Sequence, residues 1–334
     1  MYNEDQHLSE SIAVIIPAHE AERWIVDCLD AISVQTHEIA EVVVIDDGSK
    51  DATSELVRAW SRAHPVPRLR LIRLAEPHGP SAARNVGWRG AEATWIAFCD
   101  ADDLWHPTHL SVLASAARET RGHLICSDVV PFTDSPPAWQ LHLTPIVRCI
   151  EEPTLALFRS NFIPQSAVLV RRECLEAVGG YDETRRLCED YDVWARMAPT
   201  FNLVQVQQQT VGRRLHPAQA SVKLLAGLHQ ASWPVREFLR HNRSPERSDA
   251  WGSAEADVAE HLLREAWRCR NHGIFSGTLE AVRHWTGAMD VVAMWSKRRP
   301  WYWPFRMVQG VYDCLPSSVR AAWQSIRLRN QPDV

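Results

Sequence analysis

The strongest constraint on the fold is an alternation, through the first 125 residues, of apolar strand-like runs with amphipathic helical stretches. The runs have the composition of strands that are buried on both faces. Between the first two, Ile25, Leu29 and Ile32 recur at helical spacing. Strands that alternate with helices favour an α/β domain with a largely parallel sheet. The predicted strands cover residues 12–16, 41–45, 69–74, 95–99 and 123–127.

Three of the predicted strands end in short polar segments, at residues 17–20, 46–49 and 100–103. In sheets of this kind, ligands bind outside the carboxyl ends of the strands. We therefore expect one cleft to be lined by all three segments.

The pair Asp100 and Asp102 is the sharpest of these features, because it directly follows a buried strand. Two carboxylates that point into one cleft repel each other unless a cation lies between them. Mg²⁺ or Mn²⁺ is the natural occupant, since both take oxygen ligands and bridge to a substrate diphosphate. A solvated turn is the alternative interpretation of an isolated Asp-x-Asp.

Two further acidic pairs allow both a structural and a functional interpretation. One of Asp46 and Asp47 is expected to cap the following helix, which leaves the other to accept hydrogen bonds from a nucleoside. Glu189 and Asp190 begin a predicted helix, whose dipole stabilises carboxylates in its first turn. A carboxylate there could equally act as a general base toward an acceptor hydroxyl.

Basic candidates complete the predicted site. His216 follows Arg214, and an imidazole beside a guanidinium suits a site for a diphosphate and its metal. Arg84, on the helix predicted over residues 81–91, is a phosphate candidate. A structural histidine and a surface helix residue are the respective alternatives.

The alternation ends near residue 223, so we divide the chain into an α/β catalytic domain, residues 1–223, and a mainly helical extension, residues 224–334. The extension is rich in tryptophan, with eight of the fifteen tryptophans after residue 230. The proline-rich stretch at 131–153 is predicted to be a loop over the cleft.

Charge is distributed unevenly between these parts. Residues 1–224 carry 21 Lys and Arg against 30 Asp and Glu, so we expect this part to be a poor nucleic-acid binder, because phosphate contacts need a clustered basic surface. The remainder carries 15 against 11, and its residues 297–303 combine basic with aromatic side chains. That composition is typical of a peripheral membrane contact, and packing of the aromatics in a helical cap is the alternative.

The eight cysteines are spread singly, which predicts neither a zinc site nor a disulfide framework. A reducing cytoplasm fits this usage. We also expect no signal peptide, because residues 1–10 are acidic and lack an apolar stretch, and no membrane span, because no run approaches 18 apolar residues. We expect a cytoplasmic protein, with any membrane contact at the inner face.

Taken together, five ordered motifs resemble the family 2 inverting glycosyltransferases. The resemblance covers about residues 11–220 and implies the GT-A fold, a Rossmann-like mixed sheet flanked by helices that binds nucleotide in its first half and acceptor in its second. The motifs lie at residues 14–20, 43–51, 79–85, 100–105 and 189–194.

The resemblance implies a role for each matching residue of the donor site. The end of the first strand would form the wall against nucleobase and ribose, through Pro17, His19 and Glu20. Asp47 would accept the ring N–H of the base, and Asp100 would lie near the ribose. Arg84, Glu189 and Arg214 are the remaining expected substrate contacts.

The same resemblance implies that Asp102 coordinates a Mg²⁺ or Mn²⁺ that bridges the two phosphates, with His216 approaching the diphosphate or the metal. Asp190 would be the catalytic base. The chain departs from the family pattern at His19, where an aromatic residue followed by Asn is commoner. The Gln-x-x-Arg-Trp signature of processive synthases is absent after Asp190, so we expect single-sugar addition.

The expected function is therefore transfer of one sugar, with inversion, from a UDP- or dTDP-sugar to an acceptor hydroxyl. The acceptor would be a saccharide or a lipid-linked saccharide of bacterial surface polysaccharide or glycolipid synthesis. A catalytically inactive binding protein and a nucleotidyltransferase are the alternatives. A dinucleotide oxidoreductase is disfavoured because Gly-x-Gly-x-x-Gly does not follow the first strand.

Overall fold

The computed structural model describes residues 11–64, 68–217, 219, 225–243, 250–251, 253–255 and 257–258. The chain divides into two compact units, Met1–Trp251 and Gly252–Val334. The first unit contains all the elements described below. The boundary predicted near residue 223 stays a prediction, and the basic and aromatic segment at 297–303 lies outside the described residues.

The alternation of strands and helices predicted for the first half of the chain is confirmed. The strands are β1 (Ile12–Ala18), β2 (Glu41–Asp46), β3 (Leu69–Arg73), β4 (Trp95–Phe98), β5 (Leu104–Trp105), β6 (Leu124–Phe132), β7 (Ile146–Cys149), β8 (Val168–Arg171) and β9 (Leu203–Arg214). The helices are α1 (Ile25–Ser33), α2 (Thr53–Ala63), α3 (Pro80–Gly90), α4 (His109–Thr120), α5 (Pro153–Arg159), α6 (Arg172–Val178), α7 (Glu189–Met197) and α8 (Leu225–His241).

Within the described residues these strands form one sheet in the order β3-β2-β1-β4-β8-β6-β9-β5, with β7 paired to β9. The first four strands in this order are parallel, and β8 is antiparallel to both of its neighbours. The sheet is therefore mixed, as the family resemblance implied, and not largely parallel.

The proline-rich stretch at 131–153 is not the uninterrupted loop that was predicted. β6 continues to Phe132, and β7 pairs antiparallel with β9. Ile146 and Arg148 on β7 are exposed. This short strand is therefore not buried on both faces, and it lacks the long apolar run by which the earlier strands were predicted. The sequence did not predict β9 either, because polar side chains such as Gln208 and Thr210 occupy buried positions on this strand.

Helices cover both faces of the parallel part of the sheet. Ile12, Val14 and Ile16 of β1 belong to the apolar core that includes Ile25 and Leu29 of α1. The opposite face is covered by α3, which packs on β1 and β2. Because β1, β2 and β4 are parallel, their carboxyl ends lie at one edge of the sheet, followed by the three polar segments.

Gly87 is the point of closest approach between α3 and the sheet. A Cβ atom at this position would lie 2.3 Å from Ile15 Cγ2 and 2.6 Å from Ile45 Cδ1, whereas a Cβ at Gly90 would meet its nearest neighbour, Arg70 Nη2, at 3.7 Å.

We predict that Gly87→Ala destabilises the protein by about 1–3 kcal/mol relative to Gly90→Ala, because overpacking displaces the helix from the sheet. Urea unfolding of both variants measures the difference in unfolding free energy. Equal midpoints would contradict this account of how α3 packs.

Candidate functional site

The acidic segment after β4 is held in place by contacts from three other parts of the chain. The backbone N–H of Asp100 donates to Ser166 Oγ at 3.0 Å, and Asp100 Oδ1 accepts from Arg84 Nη2 at 2.8 Å. Asp102 Oδ2 lies 2.8 Å from His216 Nε2. The two predicted members of the Asp-x-Asp pair therefore have separate partners.

Arg84 links this segment to the start of α7. Its guanidinium is buried, and Nη1 donates to Glu189 Oε1 at 3.0 Å while Nη2 binds Asp100. The guanidinium also lies 5.6 Å from the ring centroid of Tyr181. The charges of Asp100 and Glu189 outweigh the effect of burial and raise the pKa of Arg84. The predicted phosphate ligand thus sits between two carboxylates that were themselves predicted to contact substrate.

Asp103 was not predicted as a site residue, although it ends the same acidic run. Its buried carboxylate accepts from the Arg214 backbone N–H at 3.0 Å and from Ser166 Oγ at 2.6 Å. Burial and the charges of Asp102 and Asp100 raise its pKa well above the ordinary value. Asp103 therefore fastens the acidic segment to the end of β9.

Arg214 reinforces that connection. Its Nε donates to the carbonyl oxygen of Asp102 at 2.9 Å, and its Nη2 lies 3.1 Å from Asp27 Oδ2 on α1. The structure thus places Arg214, a predicted substrate contact, against the backbone of the Asp-x-Asp segment.

His216 is arranged as one of two candidate metal ligands. Its ring lies 4.1 Å from that of Trp24, and its buried Nδ1 has no hydrogen-bond partner among the described residues. Burial and the neighbouring Asp100 raise the pKa of Asp102, while the contact with His216 lowers it. A cation would relieve this repulsion between the two carboxylates.

The donor atoms present fit a divalent cation that shares its coordination with substrate. No group of three or more His, Cys, Asp or Glu side chains in the described part of the chain forms a complete metal cage. Mg²⁺ is commonly held by one or two carboxylates together with substrate phosphates. Asp102 and His216 match such a partial set.

The remaining residues that were predicted to bind the nucleotide-sugar donor lie at the ends of β1 and β2. Pro17 lies in β1, and His19 Nδ1 lies 2.7 Å from the carbonyl oxygen of Asp47. Glu20 Oε1 accepts from the backbone N–H of Lys50 at 2.8 Å. The carboxylate oxygens of Asp47 each accept a backbone N–H, from His78 and Gly79 at 2.8 and 2.7 Å.

Asp46, the other member of that pair, makes the structural contacts. Its buried carboxylate accepts from the Ser49 backbone N–H at 2.9 Å and from the hydroxyl of Ser54 in the first turn of α2. The Asp47 oxygens have one protein partner each and keep further acceptor capacity. The predicted capping of α2 by this pair is wrong: Asp46 contacts α2 only through the Ser54 hydroxyl, and the N–H of Thr53 at the start of α2 donates to Asp51 instead.

Asp190 occupies the first turn of α7, next to Glu189. Burial of its carboxyl and the charge of Glu189 raise the pKa of Asp190 to about 6, and the charge of Arg84 opposes this rise. Asp190 Oδ2 lies 3.5 Å from Asn161 Nδ2, at the outer limit of hydrogen bonding. Asn161 was not predicted, because a single Asn in a loop carries no signal in one sequence.

A comparison with family models identifies residues 13–179, half of the chain, as a glycosyl transferase family 2 domain. The chain belongs to glycosyl transferase family 2. The five motifs that suggested this family lie in or just beyond the matched range. Membership removes the support for an oxidoreductase or a nucleotidyltransferase.

Two relatives of this family 2 member are succinoglycan biosynthesis proteins of Rhizobium meliloti (strain 1021). ExoU is 34% identical over 201 residues, which cover 55% of this chain and 56% of ExoU. ExoO is 32% identical over 190 residues, which cover 54% and 53%. Other curated relatives match over a smaller share of their length, such as 19% of the Streptococcus pneumoniae glycosyltransferase GlyA. The chain thus spans little more than half of these relatives at most.

Two solved structures share the fold. S. aureus TarS 1–349 in complex with UDP-GlcNAc has a TM-score of 0.62 at 17% identity and covers 81% of both chains. The mannosyltransferase PcManGT from Pyrobaculum calidifontis, in complex with GDP-Man and Mn²⁺, has a TM-score of 0.57 at 19% identity, with 86% of this chain and 78% of PcManGT covered. The predicted GT-A fold is confirmed.

We predict that Arg84→Met destabilises the protein by about 2 kcal/mol or more, because it leaves two carboxylates in a partly buried site without their shared cation. The matched control is Arg58→Met, which removes a 3.9 Å pair with Glu55 whose side chains are at least half exposed. The control is expected to cost less than about 0.5 kcal/mol in chemical denaturation. Equal costs would show that Arg84 is not a buried electrostatic link.

Proposed function

We propose that this family 2 member transfers one sugar from a nucleotide-sugar donor to an acceptor hydroxyl, with inversion at the anomeric carbon. The observation that carries the proposal is the juxtaposition of Asp190 with the Asp100–Asp102 segment through Arg84 and Glu189. It brings a carboxylate with a pKa of about 6 near the strand ends that carry the residues proposed to bind the nucleotide.

Asp190 is the proposed general base. An ionised carboxylate with a pKa raised toward neutrality is a stronger proton acceptor than an ordinary aspartate and remains ionised at pH 7. It would take the proton from the acceptor hydroxyl as that oxygen attacks the anomeric carbon from the face opposite the nucleoside diphosphate. The bond from the anomeric carbon to the diphosphate oxygen breaks in the same step, which inverts the configuration.

The nucleoside diphosphate gains negative charge as it leaves the anomeric carbon. Asp102 and His216 would hold a Mg²⁺ or Mn²⁺, and the bound cation supplies electrostatic stabilisation of the departing diphosphate. Asp47, His19, Glu20 and Pro17 are proposed to orient the base and ribose at the ends of β1 and β2. Arg214 and Asp103 keep the acidic segment in register with β9.

Names of related proteins support the choice of substrates. UDP-GlcNAc and GDP-Man appear in the solved complexes, and a uracil or thymine nucleotide fits an acceptor at Asp47 for the ring N–H. The succinoglycan proteins support an acceptor in surface polysaccharide or glycolipid synthesis. A saccharide or a lipid-linked saccharide is the proposed acceptor.

Peripheral membrane contact through residues 297–303 remains a proposal, and so does a cytoplasmic location. In the part of the chain that the structure describes, no helix is both long and apolar enough to cross a bilayer. An inactive binding protein is the second candidate, but retention of Asp100, Asp102 and Asp190 favours an enzyme.

Asp190→Asn is predicted to lower sugar transfer at least about a hundredfold, because the amide cannot accept the acceptor proton. Nucleotide binding should stay nearly unchanged, as measured by calorimetry with UDP, GDP and dTDP. The control is Asp134→Asn, which alters an exposed carboxylate in the segment between β6 and β7. Near wild-type turnover in Asp190→Asn would remove this residue from the role of base.

The pH dependence of transfer provides an independent test. Because the base acts in its ionised form and its pKa is about 6, the rate should fall as the pH drops below about 6 and level off above it. Replacing Glu189 by Gln removes the neighbouring negative charge and should shift this acid limb to lower pH. A limb near pH 4 in the wild type would contradict the proposed environment of Asp190.

Removal of divalent metal should abolish transfer, and added Mn²⁺ or Mg²⁺ should restore it, because the charge that develops on the departing diphosphate would otherwise have no cation to stabilise it. The measurement is nucleoside diphosphate release after EDTA treatment and metal addition. Full activity in the metal-free protein would remove Asp102 from its role as a ligand.

A further inference from the structure

The helix α8, outside the matched family domain, buries an arginine in the middle of its packing face. From residue 231 onward, its buried positions are Ser232, Val235, Arg236 and Leu239, which recur at the spacing of one helix face. This face packs on α5 and α7. Burying a guanidinium is costly unless it makes specific contacts, and burial lowers the pKa of Arg236.

Those contacts are made at the C-terminal end of α5. Nη1 of Arg236 donates to the carbonyl oxygen of Phe158, and its guanidinium lies 5.9 Å from the Phe158 ring centroid. The last carbonyl groups of a helix have no partner within it and favour a cation nearby. Arg236 satisfies one of them.

A residue adjacent to the proposed base satisfies another. Tyr191, which follows Asp190 on α7, donates its hydroxyl to the carbonyl oxygen of Leu157 at 2.6 Å. The guanidinium of Arg236 lies 5.7 Å from the Tyr191 ring centroid. Arg236 thus contacts both the end of α5 and the first turn of α7.

The chain leaves α5 and reaches the base within a few residues. α5 ends at Arg159, and Asn161 places its side-chain amide 3.5 Å from Asp190 Oδ2. The position of this amide depends on where the end of α5 is fixed. We propose that Arg236 is a positioning residue for Asp190, because it fixes the end of α5 from which Asn161 contacts the base.

This inference rests on the proposed function, and it assigns a role to α8, which lies beyond the matched residues 13–179. A double-mutant cycle tests it. The full-length chain is assayed for transfer from a panel of UDP-, GDP- and dTDP-sugars to alkyl glycosides, and the donor that reacts is used for Arg236→Met, Asn161→Ala and the double variant.

Each single variant should lower kcat about tenfold while the KM for the donor stays within about twofold, since the contacts to the donor are on other elements. The double variant should lose no more kcat than the more impaired of the two single variants, because both changes interrupt one connection. Arg240→Met is the matched control: Arg240 lies one turn further along α8 and pairs with Glu237 of the same helix at 3.6 Å. It should keep wild-type kcat.

Multiplicative losses in the double variant, about a hundredfold, would overturn the inference, as would a lower melting temperature of Arg236→Met with unchanged kcat. If Arg236→Met does not fold, Arg236→Lys replaces it in the same cycle with the same expected non-additivity. A wild-type chain that transfers from none of the donors would instead refute the proposed function, and this inference with it.

Discussion

The guanidinium of Arg84 is the contact on which the rest of the site depends. Asp100 follows β4, and Glu189 begins α7, which lies 105 positions away from Arg84 in the chain. Without a cation between them, these two partly buried carboxylates would repel each other. That repulsion would oppose the packing of the first turn of α7 beside the segment after β4. Because Arg84 lies on α3, which packs on β1 and β2, the link is anchored on the parallel part of the sheet. The nucleotide side and the acceptor side of the proposed site are thereby joined through one side chain.

Electrostatics also explains why one acidic site can contain carboxylates of different character. Asp46 is surrounded by hydroxyl and N–H donors, which lower its pKa despite burial. Burial of the Asp190 carboxyl and the negative charge of Glu189 raise the pKa of Asp190 to about 6. Burial and the charge of Asp100 raise the pKa of Asp102, and a bound cation would offset this repulsion. The surroundings thus distinguish the three carboxylates: hydrogen-bond donors hold the pKa of Asp46 low, whereas burial and a negative neighbour raise the pKa of Asp190 and of Asp102.

Local patterns in the sequence predict the elements whose burial is continuous, such as β1, β2 and β4, and the acids at their ends. They miss features that arise from contacts between distant segments. β9 has polar residues at positions that are buried only because neighbouring strands cover them. The contacts of Asp103 depend on Ser166 and on Arg214 at the far end of β9. The capping of α5 by Arg236 is likewise invisible in the sequence, because neither residue of the pair belongs to a local motif.

The proposed reaction is a single displacement assisted by one base, Asp190, and the anomeric configuration of the product distinguishes it from retaining mechanisms. Proton NMR of the glycoside formed from an α-linked nucleotide-sugar gives this configuration through the coupling between H1 and H2 of a gluco- or galacto-configured sugar. Inversion by a single displacement gives a β-linked product throughout the reaction. An α-linked product formed from the start would contradict it, because retention needs a second displacement or a different mechanism.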